Sequence, residues 1–174
     1  MSTPLFTIIL PTSIDRGLLL PYSIGSVQKQ SIQDFELFVI GDGVNDFTRG
    51  VIAELQAKDS RIRFFDFPKH PRRGEENRHQ VLQQAKGKNV AYLADRDYWL
   101  PHHLETMDLY LRTYDFASTL NYDVKEDYLI FGRKNLDAWD APSWLLSCVG
   151  HRLEMYKKLP YGWRTTPKDV YTDR

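Results

Sequence analysis

Two carboxylates separated by an arginine, Asp95-Arg96-Asp97, follow a short apolar run that ends at Ala94. Aspartate oxygens in such a pair can coordinate a hard cation such as Mg²⁺ or Mn²⁺, and the arginine can form paired hydrogen bonds with a phosphate. A simpler interpretation is also open, because carboxylates before the helix that Pro101 is expected to begin can cap its N-terminus. The three residues therefore indicate either ligand chemistry at a strand end or a helix cap.

Polar residues also follow two other predicted strands. Thr12 comes two residues after an apolar run, and Asp42 stands between two glycines at the end of another. Asp-Gly is a common turn signal, so Asp42 read alone is more often structural. In open α/β sheets, however, ligands bind beyond the carboxyl ends of the strands, where the strand order reverses. We therefore expect Thr12, Asp42 and residues 95–97 to converge on one crevice.

The elements that must position these residues alternate between strand and helix, which is typical of a doubly wound α/β domain with a mainly parallel sheet. Pro11 is expected to end the first strand, Asp46 to cap the second helix and Gly87 to end the third. Strands are predicted over 6–10, 35–40, 61–67 and 90–94, and helices over 17–31, 46–58, 75–86 and from Pro101 onward.

The pattern changes after residue 114. The stretches DFASTLNY and DYLIFG predict two strands joined around DVKE, most simply as an antiparallel pair, and the segment APSWLLSCVGHRLEMYKKLP is partly helical. We see no internal repeat and no separate second domain. The fold class expected is therefore α/β, with helices on both faces of the sheet and a small antiparallel C-terminal portion.

Composition narrows the possible functions. Lys plus Arg and Asp plus Glu both number 23, so net charge does not favour a nucleic-acid partner. Cys148 is the single cysteine, which excludes an intrachain disulfide and fits a reducing compartment. The apolar runs are too short to cross a bilayer, and the N-terminus lacks a signal-peptide pattern. We predict a cytoplasmic protein, with peripheral membrane association left open.

The motifs together resemble the family 2 glycosyltransferases of the GT-A fold, which transfer a sugar from a nucleotide diphosphate donor. The resemblance is carried by FTIILPT, SIGSVQKQSIQDFELFVIGDG, RHQVLQQAKGKNVAYLADRDYWLP and, more weakly, GHRLEMYKKLPYGWRTTP. It implies one GT-A domain over residues 1–174. Residues of about 5–110 would form the half that binds the nucleotide sugar, and about 111–174 would form part of the acceptor side.

The resemblance also implies roles for single residues. Pro11, Thr12 and Asp42 are expected to hold the nucleoside of the donor, for which a UDP-sugar is the expectation. Arg78 falls on the arginine of the family's helix motif and is counted among the donor-binding residues. The cluster at 95–97 is similar to the family's DxD motif, which binds the ribose and a divalent cation that bridges the diphosphate.

One position departs from the family pattern. The usual Asp-x-Asp-Asp falls on residues 94–97, and its third position, which commonly supplies the metal ligand, is Arg96. In one interpretation Asp95 and Asp97 still hold Mg²⁺ or Mn²⁺, which acts as a Lewis acid on the leaving diphosphate. In the other, Arg96 itself binds the diphosphate and reduces the need for metal. A third possibility is loss of activity.

The resemblance further implies an inverting reaction, in which a carboxylate removes the proton of an acceptor hydroxyl. Asp173 is the predicted base, although it is the penultimate residue and the chain is shorter than the family usually is. The acceptor expected is a saccharide or a lipid-linked saccharide, in cell-surface polysaccharide synthesis, and Trp163 is a candidate for stacking on it. Two alternatives stay open: a non-catalytic nucleotide-binding module, and a phosphoacceptor receiver domain in which Asp42 would accept the phosphoryl group.

Overall fold

The computed structural model describes residues 3–124, 126, 129–132, 145–165 and 167. Six of its strands form one sheet in the order β3-β2-β1-β4-β8-β5, and β6 pairs with β7 in a separate antiparallel hairpin. The strands are β1 (Phe6–Ser13), β2 (Phe35–Asp42), β3 (Ile62–Phe67), β4 (Asn89–Tyr92), β5 (Phe116–Ser118), β6 (Asn121–Val124), β7 (Leu129–Gly132) and β8 (Val149–Arg152).

Helices cover both faces of this sheet. One face packs against the first, second and fourth helices through residues such as Ile24, Ile52 and Met107. The other face packs against the third and fifth helices through residues that include Leu82 and Tyr156. The helices are α1 (Leu20–Gln28), α2 (Asp46–Lys58), α3 (Glu75–Leu82), α4 (His103–Leu111) and α5 (Leu153–Lys158), with short 3-10 helices at Arg16–Leu18 and Leu146–Cys148.

The predicted fold class is confirmed. Strands β1 to β4 are all parallel, β8 runs antiparallel to both β4 and β5, and apolar side chains fill both faces of the sheet. From β1 the chain proceeds outward on one side to β2 and β3, and later returns to place β4 on the other side. The strand order therefore reverses between β1 and β4, and this is where an open α/β sheet offers a crevice.

Pro11 does not end the first strand, contrary to the prediction, because β1 continues to Ser13 and pairs with β2 along its whole length. The ladder between β1 and β4 ends at Ile9 and Tyr92, followed by a bond from Leu93 N–H to Ile9 C=O. Residues 9 and 11 face the same side of the strand. Proline at 11 therefore lacks an N–H on the side where no partner strand remains.

The predicted helix over 46–58 is present as α2, but its predicted cap and the predicted end of the third helix are wrong. Asn45, not Asp46, caps α2, since its side-chain oxygen accepts a hydrogen bond from Thr48 N–H at 2.9 Å. Helix α3 ends at Leu82, well before Gly87. Gly87 has a different role: its N–H donates to Thr7 Oγ1 at 2.9 Å, and a Cβ there would lie 2.2 Å from the backbone nitrogen of Thr7.

In the C-terminal part, a predicted antiparallel pair of strands is present, and one further strand was not predicted. The antiparallel pair predicted around DVKE is present as β6 and β7. The first half of the predicted strand DFASTLNY instead forms β5 and pairs with β8 in the main sheet. Strand β8 was not predicted, because its four residues show no clear alternation and lie inside a segment that reads as partly helical. Among the described residues no helix is both long and apolar enough to cross a bilayer.

Candidate functional site

Thr12 and Asp95 meet at the point where the strand order reverses. Thr12 is the second-last residue of β1 and is only 3% exposed. Its hydroxyl donates to Asp95 Oδ2 at 2.9 Å. Pro11, next to it, is half-buried. Burial raises the pKa of the Asp95 carboxyl above its ordinary value, and the Thr12 hydrogen bond works in the opposite direction. Residues 83 positions apart thus form one polar contact where the strand order reverses.

Asp42 lies one strand away, at the carboxyl end of β2, where it is paired in register with Ser13 of β1. It is 7% exposed, and both of its oxygens are engaged. Lys69 Nζ donates to Oδ2, and the backbone N–H of His70 donates to Oδ1. The contacts tie the loop that follows β3 to the end of β2. Asp42 therefore organises this edge of the sheet in addition to any role it has toward a ligand.

Gly74 brings the N-terminus of α3 close to Asp42. Its backbone has φ of +68°, a left-handed conformation that glycine adopts readily. A Cβ at this position would lie 3.5 Å from Asp42 Oδ2. The start of α3 consequently lies beside the carboxyl end of β2.

Asp97 is exposed, and Ser147 donates a hydrogen bond to its Oδ2. The second oxygens of Asp95 and Asp97 receive no hydrogen bond from the described residues. No group of three or more His, Cys, Asp or Glu side chains in the described part of the chain is arranged to hold a metal ion. Two carboxylates fit a hard cation that takes its remaining ligands from a diphosphate and water, which is how Mg²⁺ commonly binds.

Arg96 is exposed and forms no hydrogen bond or ion pair with any described residue. Its positive charge lies close enough to Asp95 to favour the ionised carboxylate, although burial has the larger effect on that pKa. The guanidinium is consequently not committed to another group in the described part of the chain. Both interpretations of this position stay compatible with the geometry.

Arg78 is buried in the first half of α3 and is 5% exposed. Its Nη1 donates to Arg73 C=O at 3.0 Å, and the centre of the guanidinium lies 4.6 Å from the ring centroid of Trp163. Burial lowers the pKa of Arg78, while the nearby carboxylate of Glu75 opposes that shift. The side chain nitrogen Nε is buried without a partner among the described residues. Its predicted contact with the donor stays a prediction.

A cluster of aromatic and histidine side chains connects α3, β4, β8 and α5, and sequence reasoning missed it. Tyr92 and His151 are joined at 2.8 Å, and Trp163 Nε1 donates to Tyr92 Oη at 3.0 Å. Tyr156 Oη accepts from Trp163 N–H at 2.9 Å and lies 2.8 Å from His79 Nδ1. Both N–H groups of Trp163 are therefore used internally. The residues that form the cluster are far apart in sequence, so no local pattern indicated it.

The predicted base, Asp173, lies outside the described residues. Of the other predicted site residues, the structure brings Thr12, Asp42, Asp95 and Asp97 to the carboxyl edge of neighbouring strands. Arg78 reaches the same side from α3.

Similarity to solved structures defines the fold of this chain. The chain aligns over 99% of its length with half of a mannosyltransferase from Pyrobaculum calidifontis, PcManGT, solved with GDP-Man and Mn²⁺, at 18% identity and a TM-score of 0.70. It aligns over 87% with 48% of S. aureus TarS 1-349 in complex with UDP, at 18% identity and a TM-score of 0.69. The chain has the GT-A fold of these glycosyltransferases.

The sequence places the chain within that class. The model of Glycosyl transferase family 2 matches residues 7–165, and the chain belongs to this family. The resemblance drawn from its motifs is confirmed, and the receiver-domain alternative is wrong.

Curated relatives are similar over part of their length. A GalNAc(5)-diNAcBac-PP-undecaprenol beta-1,3-glucosyltransferase of Campylobacter jejuni is 35% identical over 104 residues, which cover 60% of this chain and 33% of that protein. The UDP-Glc:alpha-D-GlcNAc-diphosphoundecaprenol beta-1,3-glucosyltransferase WfgD of Escherichia coli is 30% identical over 135 residues, which cover 76% of this chain and 51% of that protein. The chain thus spans between a third and a half of these relatives.

Proposed function

We propose that this chain binds a nucleotide diphosphate sugar in the crevice at the carboxyl ends of β1, β2 and β4. The sugar is transferred, with inversion, to a hydroxyl of a lipid-linked saccharide during the synthesis of a cell-surface polysaccharide. The observation that carries the proposal is the contact between Thr12 and Asp95 at the strand-order reversal of a family 2 chain. A crevice at this position is where open α/β sheets bind their ligands.

In the donor site that we propose, each strand end makes a different contact with the nucleotide sugar. Asp42 accepts a hydrogen bond from the nucleoside, with Pro11 and Thr12 forming the adjacent wall. Asp95 and Asp97 would hold Mg²⁺ or Mn²⁺, and the bound cation would act as a Lewis acid toward the leaving diphosphate. Arg96 lies between them and adds a second positive charge that stabilises the same diphosphate.

The nature of donor and acceptor is proposed from the relatives. One of them is named for UDP-Glc, and both are named for undecaprenol-linked acceptors. Because these proteins are two to three times longer than the matched segment, a UDP-sugar and a lipid-linked acceptor are proposals for this chain. Asp173, as the proposed base, would remove the proton of the acceptor hydroxyl.

Calorimetric titration with UDP, in Mn²⁺ and again in EDTA, tests the donor site. Binding that requires Mn²⁺ supports the two-carboxylate cation site, and binding that survives EDTA supports Arg96 as its substitute. No binding of UDP or of GDP under either condition would refute the proposed function. Release of UDP from UDP-glucose in the presence of a lipid-diphosphate saccharide then separates a transferase from a nucleotide-binding module, the alternative that Arg96 suggests.

A further inference from the structure

One buried serine holds the Asp95-Arg96-Asp97 loop at three points. The hydroxyl of Ser147 accepts a hydrogen bond from Ala94 N–H at 2.9 Å and donates one to Asp97 Oδ2. Its carbonyl oxygen accepts from Trp99 Nε1 at 2.7 Å. Ser147 is 7% exposed and lies on the 3-10 helix that leads into β8. A residue just before β8 thus holds the loop in place.

The geometry fixes the direction of the hydroxyl proton. The N–H of Ala94 donates to the serine oxygen and the Asp97 carboxylate can only accept, so the serine O–H donates to Asp97. The indole of Trp99, which is buried, anchors the far end of the same loop on the same residue. The hydrogen bond to Oδ2 therefore restrains the carboxylate of Asp97 and leaves Oδ1 without a hydrogen bond from the described residues.

An exposed aspartate without such a support would sample several rotamers and would lose that freedom on binding a ligand. Groups that orient a metal ligand through its second oxygen are commonly worth one to two orders of magnitude in metal affinity. Ser147 fits this description because both of its oxygens contact the loop, and because it is buried while Asp97 is exposed. Its hydroxyl contributes no ligand of its own.

We propose that Ser147 is a positioning residue for the cation site, acting by orienting Asp97 toward the diphosphate-bound metal. The inference rests on the proposed function, since it presumes that Asp97 binds the cation of the donor complex. It assigns to the segment before β8 a role in donor binding, although that segment belongs to the half of the chain expected to serve the acceptor.

The test is calorimetric titration of UDP into the full chain, with Mn²⁺ and with EDTA. Ser147→Ala is expected to weaken the Mn²⁺-supported affinity by about tenfold and to leave the affinity in EDTA unchanged. Ser147→Thr keeps the hydroxyl and should keep the affinity, and Ser147→Cys, with a weaker donor, should fall between. In an Asp97→Asn background, Ser147→Ala should cause no further loss.

Ser23→Ala is the matched control, because Ser23 is also buried and its hydroxyl, among the described residues, donates to Leu20 C=O within the first turn of α1. It should change neither affinity. If Ser147→Ala does not fold, Ser147→Cys replaces it, and the effect of Ser147→Cys is measured both in the wild type and in the Asp97→Asn background. Direct Mn²⁺ titration followed by electron paramagnetic resonance, in the presence of UDP, gives a readout independent of turnover.

The outcomes separate the inference from the function on which it rests. Equal losses in Mn²⁺ and EDTA, or none, would overturn the positioning role and leave the nucleotide site standing. A wild-type UDP affinity that does not depend on Mn²⁺ would also overturn the positioning role and leave the nucleotide site standing. A wild type that binds no nucleotide at all would overturn the proposed function, and the inference with it.

Discussion

Replacing Asp42 with alanine should lower both the UDP affinity and the free energy of unfolding, and the contacts of Asp42 give the size of each effect. The buried carboxylate accepts hydrogen bonds from Lys69 Nζ and from His70 N–H. The bond from the backbone to a charged acceptor is worth roughly 1.5 kcal/mol. The Lys69 side chain is 46% exposed, so its ion pair adds only about 0.5 kcal/mol. The free energy of unfolding should fall by about 2 kcal/mol.

For a chain of this length that loss corresponds to a decrease in Tm of about 4–8 °C, which leaves the variant folded at 25 °C. The loss of binding affinity is a separate effect. If Asp42 accepts a hydrogen bond from the nucleoside, its removal should weaken UDP binding at least about tenfold. Thermal unfolding followed by circular dichroism and calorimetry at 25 °C measure the two effects independently.

Two matched variants separate the roles. Lys69→Met removes the ion pair but keeps the carboxylate, so it should cost about 0.5 kcal/mol of stability and preserve UDP binding. Asp66→Ala removes an exposed carboxylate on the neighbouring strand, one that pairs with Arg49, and should change neither quantity appreciably. If Asp42→Ala binds UDP as the wild type does, while losing the predicted stability, the nucleoside site has been placed wrongly.

Three further predictions concern the cation, the packing and the pH dependence. Arg96→Asp should make UDP binding at least about tenfold more dependent on Mn²⁺, measured as the ratio of affinities in Mn²⁺ and EDTA; an unchanged ratio would show that Arg96 does not face the diphosphate. Gly87→Ala should lower the free energy of unfolding by about 3 kcal/mol in urea denaturation, since its Cβ would meet the β1 backbone, whereas the control Gly50→Ala, in open space on α2, should raise it by up to about 1 kcal/mol. Burial lowers the pKa of His103 from 6.5 to about 4. Between pH 6.5 and pH 4 the folded state therefore binds fewer protons than the unfolded state, and the free energy of unfolding should fall as the pH drops. His103→Phe, which can keep the stacking on the ring of Trp99, should flatten that decline; an equal slope in both proteins would contradict the assignment.

The order of strands and helices could be predicted from the sequence because each element carries a local periodicity of its own. Apolar runs with β-branched residues marked β1, β2 and β4, and turn residues separated them from the helices. The convergence of Thr12, Asp42 and Asp95 also followed from the sequence, since parallel strands end at the same edge of a sheet. The ends of strands and helices were predicted less accurately, as at Pro11. Whether a partner strand lies beside a given residue depends on distant parts of the chain.

The sequence by itself determined the fold class and family, and it indicated the edge of the sheet at which we propose that a ligand binds. Only the tertiary structure decided which groups hold the site residues in place: Lys69 on Asp42, Ser147 on Asp97, and Trp163 under Arg78. Ser147 and Asp97 are 50 positions apart and meet only because the unpredicted strand β8 inserts between β4 and β5. Local propensity records what a segment prefers, whereas these contacts depend on where distant segments end in space.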